Sequence, residues 1–131
     1  MMRKILLTSV VVFVVWSILD FVIHGVLLQS AYAATPQLWR PHAEMKLGVL
    51  YVSVFGGALA FTAIWTRFVR PKSAMIGILY GTWFGLAAGL SMGYGSYAVM
   101  PIPYGMALVW FLGQLVEGIV AGAVVATLIR E

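Results

Sequence analysis

Three ionisable side chains stand inside otherwise apolar stretches of this sequence: Asp20, His24 and Glu117. A carboxyl or imidazole group in such surroundings is costly. It normally faces a protein interior or a wet cavity, where it marks an ion, proton or ligand path. Asp20 and His24 are four residues apart, so they share one face of a helix. At about 100° per residue, Ser9, Ser17, Asp20 and His24 fall within a sector of roughly 80°. Trp110, Gln114, Glu117 and Ala121 gather in the same way on a later segment.

Three chemistries fit these residues. The plainest is a buried hydrogen-bond network of Asp20, His24, Gln114 and Glu117 that fixes helix register, with Asp20 pairing His24. The second is a proton or ion relay, because acidic and histidine side chains in series are how such relays are built. The third is a metal or haem site with His24 as the ligand. Asp20 and the nearby His42 are its further candidates, and Glu44 lies beside them in sequence. No H-x-x-x-H, C-x-x-C-H or H-E-x-x-H spacing accompanies these residues. Nothing in the sequence requires a cofactor. No nucleophile, base and orienting group can be assembled, and no phosphate-binding loop is present, so catalysis is not expected. Met92, Met100 and Met106 read as apolar filling beside glycines.

The elements that must position these groups follow from composition. Of 131 residues, 63% are hydrophobic and only 9% charged, against about 25% charged in an ordinary soluble domain. A core able to hide so much apolar side chain does not exist at this length. Four apolar stretches, Ile5–Leu28, Leu47–Thr66, Ala74–Met100 and Tyr104–Ile129, each reach the roughly 20 residues that cross a bilayer. The expectation is one all-α domain over residues 1–131, an integral membrane bundle of four helices. Arg3-Lys4 followed by an apolar run and Ala31-Tyr32-Ala33-Ala34 imitates a cleavable signal. The run exceeds the 7–15 residues usual there, however, and contains Asp20 and His24. It is read as a retained first span.

Arg3, Lys4, Arg67, Arg70, Lys72 and Arg130 fall on one side of these spans, and only Arg40 and Lys46 on the other. The excess of basic residues on cytoplasmic loops then puts both termini in the cytoplasm of a bacterial inner membrane. The net charge of +4 is spread over helix ends and forms no patch, so no nucleic-acid partner is expected. Tyr32, Trp39, Tyr97 and Tyr104 are placed at the outer interface, and Trp65 and Tyr80 near the inner one. Pro36 and Pro41 suit first-turn positions, with the second span beginning near Pro41. Cysteine is absent, which removes thiol chemistry and says nothing of the compartment.

Gly77, Gly81, Gly85, Gly89 and Gly93 recur every four residues in a stretch without charge. Four residues overshoot a turn by about 40°, so the glycines trace a slowly rotating groove where another helix can reach backbone contact. Gly56, Gly57 and Ala60 on the second span, or Gly118 and Gly122 on the fourth, offer matching surfaces. A bundle this small is expected to leave some glycine face for a partner subunit or a copy of itself.

The run Leu19-Asp20-Phe21-Val22-Ile23-His24-Gly25-Val26-Leu27-Leu28, with Leu38-Trp39-Arg40-Pro41 after it, resembles a group of small uncharacterised bacterial inner-membrane proteins. The resemblance covers the first span and outer loop, and it implies a location without an activity. It directs attention to the loop residues Trp39, Arg40, Pro41, His42 and Glu44, although Trp-Arg-Pro also serves as an interfacial anchor and helix start. The expected function is a non-catalytic membrane subunit or homo-oligomer packed through glycine-rich faces. The alternatives are a small proton, ion or solute transporter using Asp20, His24 and Glu117, and a metal or haem binder using His24.

Overall fold

A computed structural model describes residues 1–131. The chain is helical, with no β-strand. Helix α1 (Met2–Asp20) runs on through a widened π segment, Phe21–Leu27, and a short α2 (Gln29–Ala33). Two 3₁₀ turns, Pro36–Leu38 and His42–Glu44, lead to α3 (Leu47–Phe68). Helix α4 (Ala74–Gly89) passes through a second π segment, Leu90–Gly95, into α5 (Ser96–Val99), and α6 (Tyr104–Leu128) closes the chain. Four helical rods, Met2–Leu27, Leu47–Phe68, Ala74–Val99 and Tyr104–Leu128, are long and apolar enough to cross a membrane.

Local chemistry sets the breaks. Met100 precedes Pro101, whose ring disfavours a helical conformation in the residue before it. Met100 is accordingly extended, with φ −121° and ψ 142°, and α5 stops there. The Ser73 hydroxyl accepts the Ile76 N–H at 3.2 Å and caps the start of α4. The expected start of the second span near Pro41 is displaced. Pro41 is extended, the Glu44 N–H returns to the Pro41 carbonyl at 2.9 Å, and Met45 is extended again. That turn is complete in itself, so α3 begins only at Leu47.

The rods pack up-down-up-down: α1 against α3 and α6, and α4 against α6. Both termini therefore lie at one end with the α3–α4 connection. The loops holding α2 and Met100–Pro103 lie at the other, called here the loop end. Helix α3 meets α4 through aromatic rings, with the Tyr80 hydroxyl donating to the Phe61 carbonyl at 2.8 Å and Phe84 edge-on to Phe61. Trp65 is fully buried and donates its indole N–H to the Ile129 carbonyl at 3.2 Å. Trp65 and Tyr80 are thus core residues rather than members of an interfacial belt. Sequence hydropathy could not separate the two, because an amphipathic ring suits either place once its polar atom has a partner.

The tightest contact is α4 on α6. Gly77, Gly81, Gly85, Gly89 and Gly93 are all buried. A methyl group added to Gly81 would collide with the Gly118 carbonyl oxygen, and one added to Gly122 with the Gly77 carbonyl oxygen. At Gly85 it would meet the Gln114 carbonyl oxygen at 2.7 Å, and at Gly93 that of Ala107, also at 2.7 Å. The glycine groove is filled within the chain, by α6. The other matching patch is not used this way: Gly56 has open space around it, and Gly57 meets only the Trp16 ring at 3.6 Å.

Gly81→Ala and Gly122→Ala should each destabilise the fold by about 1–3 kcal/mol, the usual penalty of overpacking. Gly56→Ala should be neutral or slightly stabilising, since helix propensity improves and nothing is displaced. Thermal unfolding of the three variants in detergent checks the contrast.

Candidate functional site

The polar residues of α1 and α6 come together along one seam. Trp16 donates its indole N–H to the Glu117 carbonyl at 2.9 Å, which ties the two helices at that level. Nearer the loop end, Ile23 lies over Gly113, where an added methyl would come within 2.8 Å of the Ile23 side chain. Gly113 thus lets α1 approach. Sequence inspection passed over it because it lies outside the four-residue repeat.

The network is continuous from the loop end inward. The Trp110 indole N–H donates to the Tyr32 hydroxyl oxygen at 2.8 Å, and that oxygen lies 2.6 Å from His24 Nδ1. A hydroxyl has one proton, and Trp110 cannot accept it. The consistent assignment is therefore Tyr32 O–H donating to Nδ1, which leaves the other ring proton on His24 Nε2. Nε2 faces the Asp20 carboxyl at 3.8 Å, an electrostatic contact too long for a hydrogen bond. The Asp20 and Glu117 carboxyl groups are close enough to interact electrostatically. Glu117 is buried, with 5% of its surface exposed. Its Oε2 accepts the Gln114 amide at 3.2 Å, while its Oε1 has no hydrogen-bond partner. Ser17 Oγ, one turn from Asp20 on α1, is likewise buried and unpartnered.

Asp20, His24, Gln114 and Glu117 therefore share one site, as their helix faces led one to expect. Tyr32 is the residue that sequence inspection misplaced, at an interfacial belt. Eight residues of regular helix turn through about 800°, which would leave His24 and Tyr32 about 80° apart. The π segment between them, marked by the Leu28 N–H bonding to the Ile23 carbonyl five residues back, absorbs one residue. Eight residues then count as about seven, and the offset falls to about 20°. The two rings stack, with centroids 6.0 Å apart and planes at 20°.

An aromatic cap covers this end. Trp39 sits edge-on to Tyr32 and Trp110, at 5.1 Å and 6.0 Å, and its indole N–H donates to Thr35 Oγ1 at 3.0 Å. Of the five loop candidates only Trp39 joins the site. Arg40, Pro41, His42 and Glu44 are exposed. No three His, Asp or Glu side chains converge as a metal-binding group anywhere in the chain, so Asp20, His24 and His42 are not brought together as ligands. Below Glu117, toward the termini, polar side chains give way to a tight apolar cluster that includes Val12, Phe61, Trp65, Ala121 and Val125. The seam is open to one end only.

Burial pushes the Tyr32 phenol above its ordinary value. The Trp110 hydrogen bond works against that rise, and the Asp20 carboxylate adds to it. A comparison with known protein families, curated proteins and solved structures finds no match. The likeness to small bacterial inner-membrane proteins rests on the first-span and loop residues alone.

Tyr32→Phe should cost about 1–2 kcal/mol, because the Trp110 N–H loses its buried acceptor. Since folding raises the Tyr32 value, the stability it contributes is complete below the unfolded value of about 10 and is lost as pH rises through the folded value. Alkaline unfolding followed by circular dichroism should therefore show wild type and Tyr32→Phe converging above about pH 10.

Proposed function

We propose that this chain is an integral membrane protein whose α1–α6 seam takes up a proton from the loop end, as the one-sided acceptor site of a small proton-linked transporter. The observation that carries the reading is the Glu117 carboxyl: buried near the middle of α6, with one oxygen unpartnered and Asp20 beside it. About 1.5 Å per residue puts Glu117 about 20 Å from the loop end of its helix, past the middle of a ~30 Å hydrocarbon layer. Two neighbouring carboxyl groups share protons as a pair. Tyr32, His24 and Asp20 provide the steps between the loop end and that pair. The apolar cluster below it makes the site a terminus for protons in this conformation. An open channel would need polar groups through both halves, so a change of packing around Phe61 and Trp65 is required before release on the other side. Both termini on the side rich in Arg and Lys favour an N-in, C-in arrangement.

Reconstituted protein should carry protons across proteoliposomes under an imposed pH gradient. Glu117→Gln and Asp20→Asn should each lower the rate by at least tenfold, while Glu44→Gln, in the exposed loop, should leave it unchanged. Equal fluxes in wild type and both seam variants would remove the proposal.

A second reading, the membrane subunit or homo-oligomer, is favoured by a different observation. The Asp20 and His24 side chains remain about one-third exposed, at 31% and 37%, and Ile18, Phe21 and Val22 around them are exposed too. A polar pair on the flank of a span is costly against lipid, and a neighbouring helix laid over it would relieve that cost. The docking face is then this flank of α1, not the glycine groove, which α6 already fills. The chain has no cysteine, so Phe21→Cys supplies a single thiol. Oxidation in native membranes should yield a disulfide dimer for a self-associating protein. A thiol at Val99, which is exposed on a different helix, should yield none.

A further inference from the structure

At the terminus end, opposite the polar seam, the start of α4 and the end of α6 enclose an open hollow of about 490 Å³. Lys72, Ser73, Thr127 and Arg130 supply its polar wall, with Glu131 at its edge and Ala74 and Ala126 at its floor. The two cations are not matched by carboxylates. Glu131 pairs instead with Arg70 at 3.4 Å, and the only other ion-pair contact in the chain is that of His24 with Asp20. Lys72 spends one donor on the Val69 carbonyl at 3.2 Å. Arg130 spends its Nε proton on the Thr127 carbonyl at 3.2 Å, which leaves the terminal guanidinium nitrogens without a partner. The hollow therefore presents two positive charges with free donors, held by short backbone bonds, on the rim of a bundle that is otherwise apolar.

We infer that this hollow binds a phosphate group through Lys72 and Arg130. Phosphate is the anion that suits the donor set, because an arginine fork meets two of its oxygens at once while a lysine ammonium adds a point charge. Two sources share that chemistry: the headgroup of an anionic phospholipid and free phosphate. The setting favours the lipid. The hollow lies where the apolar rods end, which in an N-in, C-in membrane bundle is the level of the headgroups, and basic pockets between helices on the cytoplasmic side are suited to such headgroups. The alanine floor leaves room for a headgroup to settle between the two helices. The seam chemistry is not involved, so this site stands or falls apart from proton uptake.

The test is thermal unfolding of the full chain in a neutral detergent, with three additives measured separately: phosphatidylglycerol, phosphatidylcholine and inorganic phosphate. Phosphatidylglycerol should raise the melting temperature of wild type by several degrees, phosphatidylcholine should not, and Lys72→Gln with Arg130→Gln should abolish the shift. Stabilisation by inorganic phosphate alone, lost in the same double variant, would support the phosphate site and identify its source as the free anion. An equal shift in wild type and the double variant, or no shift with any additive, would overturn the proposal. Arg3→Gln with Lys4→Gln, which removes the same charge from the other chain segment at this end, controls for non-specific attraction and should keep the shift. Loss of the shift in that control as well would count against a defined pocket.

Discussion

The backbone contact between α4 and α6 constrains everything else in the bundle. With glycine on both sides, at Gly77, Gly81, Gly118 and Gly122, each helix reaches the other's carbonyl oxygens. Such an approach allows little freedom in rotation about either axis, because any Cβ turned into the seam meets backbone that cannot move aside. Neighbouring residues on a helix are about 100° apart. Once Gly118 is held against α4, Glu117 is turned by that angle, toward α1. The polar seam is therefore a consequence of where the glycines lie.

The opposite ends of the bundle are built on different chemistry. Toward the termini the core is aromatic and aliphatic, centred on Phe61 and Trp65, and its polar side chains are satisfied by their own helices or by a single carbonyl. Toward the loops, Tyr32, Trp39 and Trp110 link hydrogen bonds to one another and to His24. Both π segments lie in this second half, one carrying His24 and the other facing α6 through Gly93. A π turn opens the regular ladder and rotates the residues beyond it. It is a means of aiming a side chain that no regular helix would aim correctly. The burial of a carboxyl group with one unpartnered oxygen at the meeting of these halves is a departure from the usual pairing of buried polar atoms, and it is the reason function is sought there.

Much of the architecture was legible in the sequence. Hydropathy and length marked four rods to within a few residues, because both are local properties of a segment. The four-residue glycine period signalled a close helix contact, and the spacing of Asp20 with His24, and of Gln114 with Glu117, put each pair on a common face. Other features were hidden. Tyr32 looked interfacial because a regular helix would have turned it away from His24. Trp65 and Tyr80 looked interfacial because composition does not reveal whether an indole or a phenol has found a carbonyl. Gly113 carried no period to single it out.

The sequence by itself determined that this chain forms four long apolar helices with three ionisable groups among them, since those properties follow from side-chain polarity and a period of 3.6 residues. Only the tertiary structure decided which helix fills the glycine groove, that α1 rather than α3 faces Glu117, and that the polar seam ends on an aromatic floor. Those outcomes depend on the rotation of each rod about its axis and on a single extra residue in a turn. Both are settled by backbone contact between segments far apart in the chain.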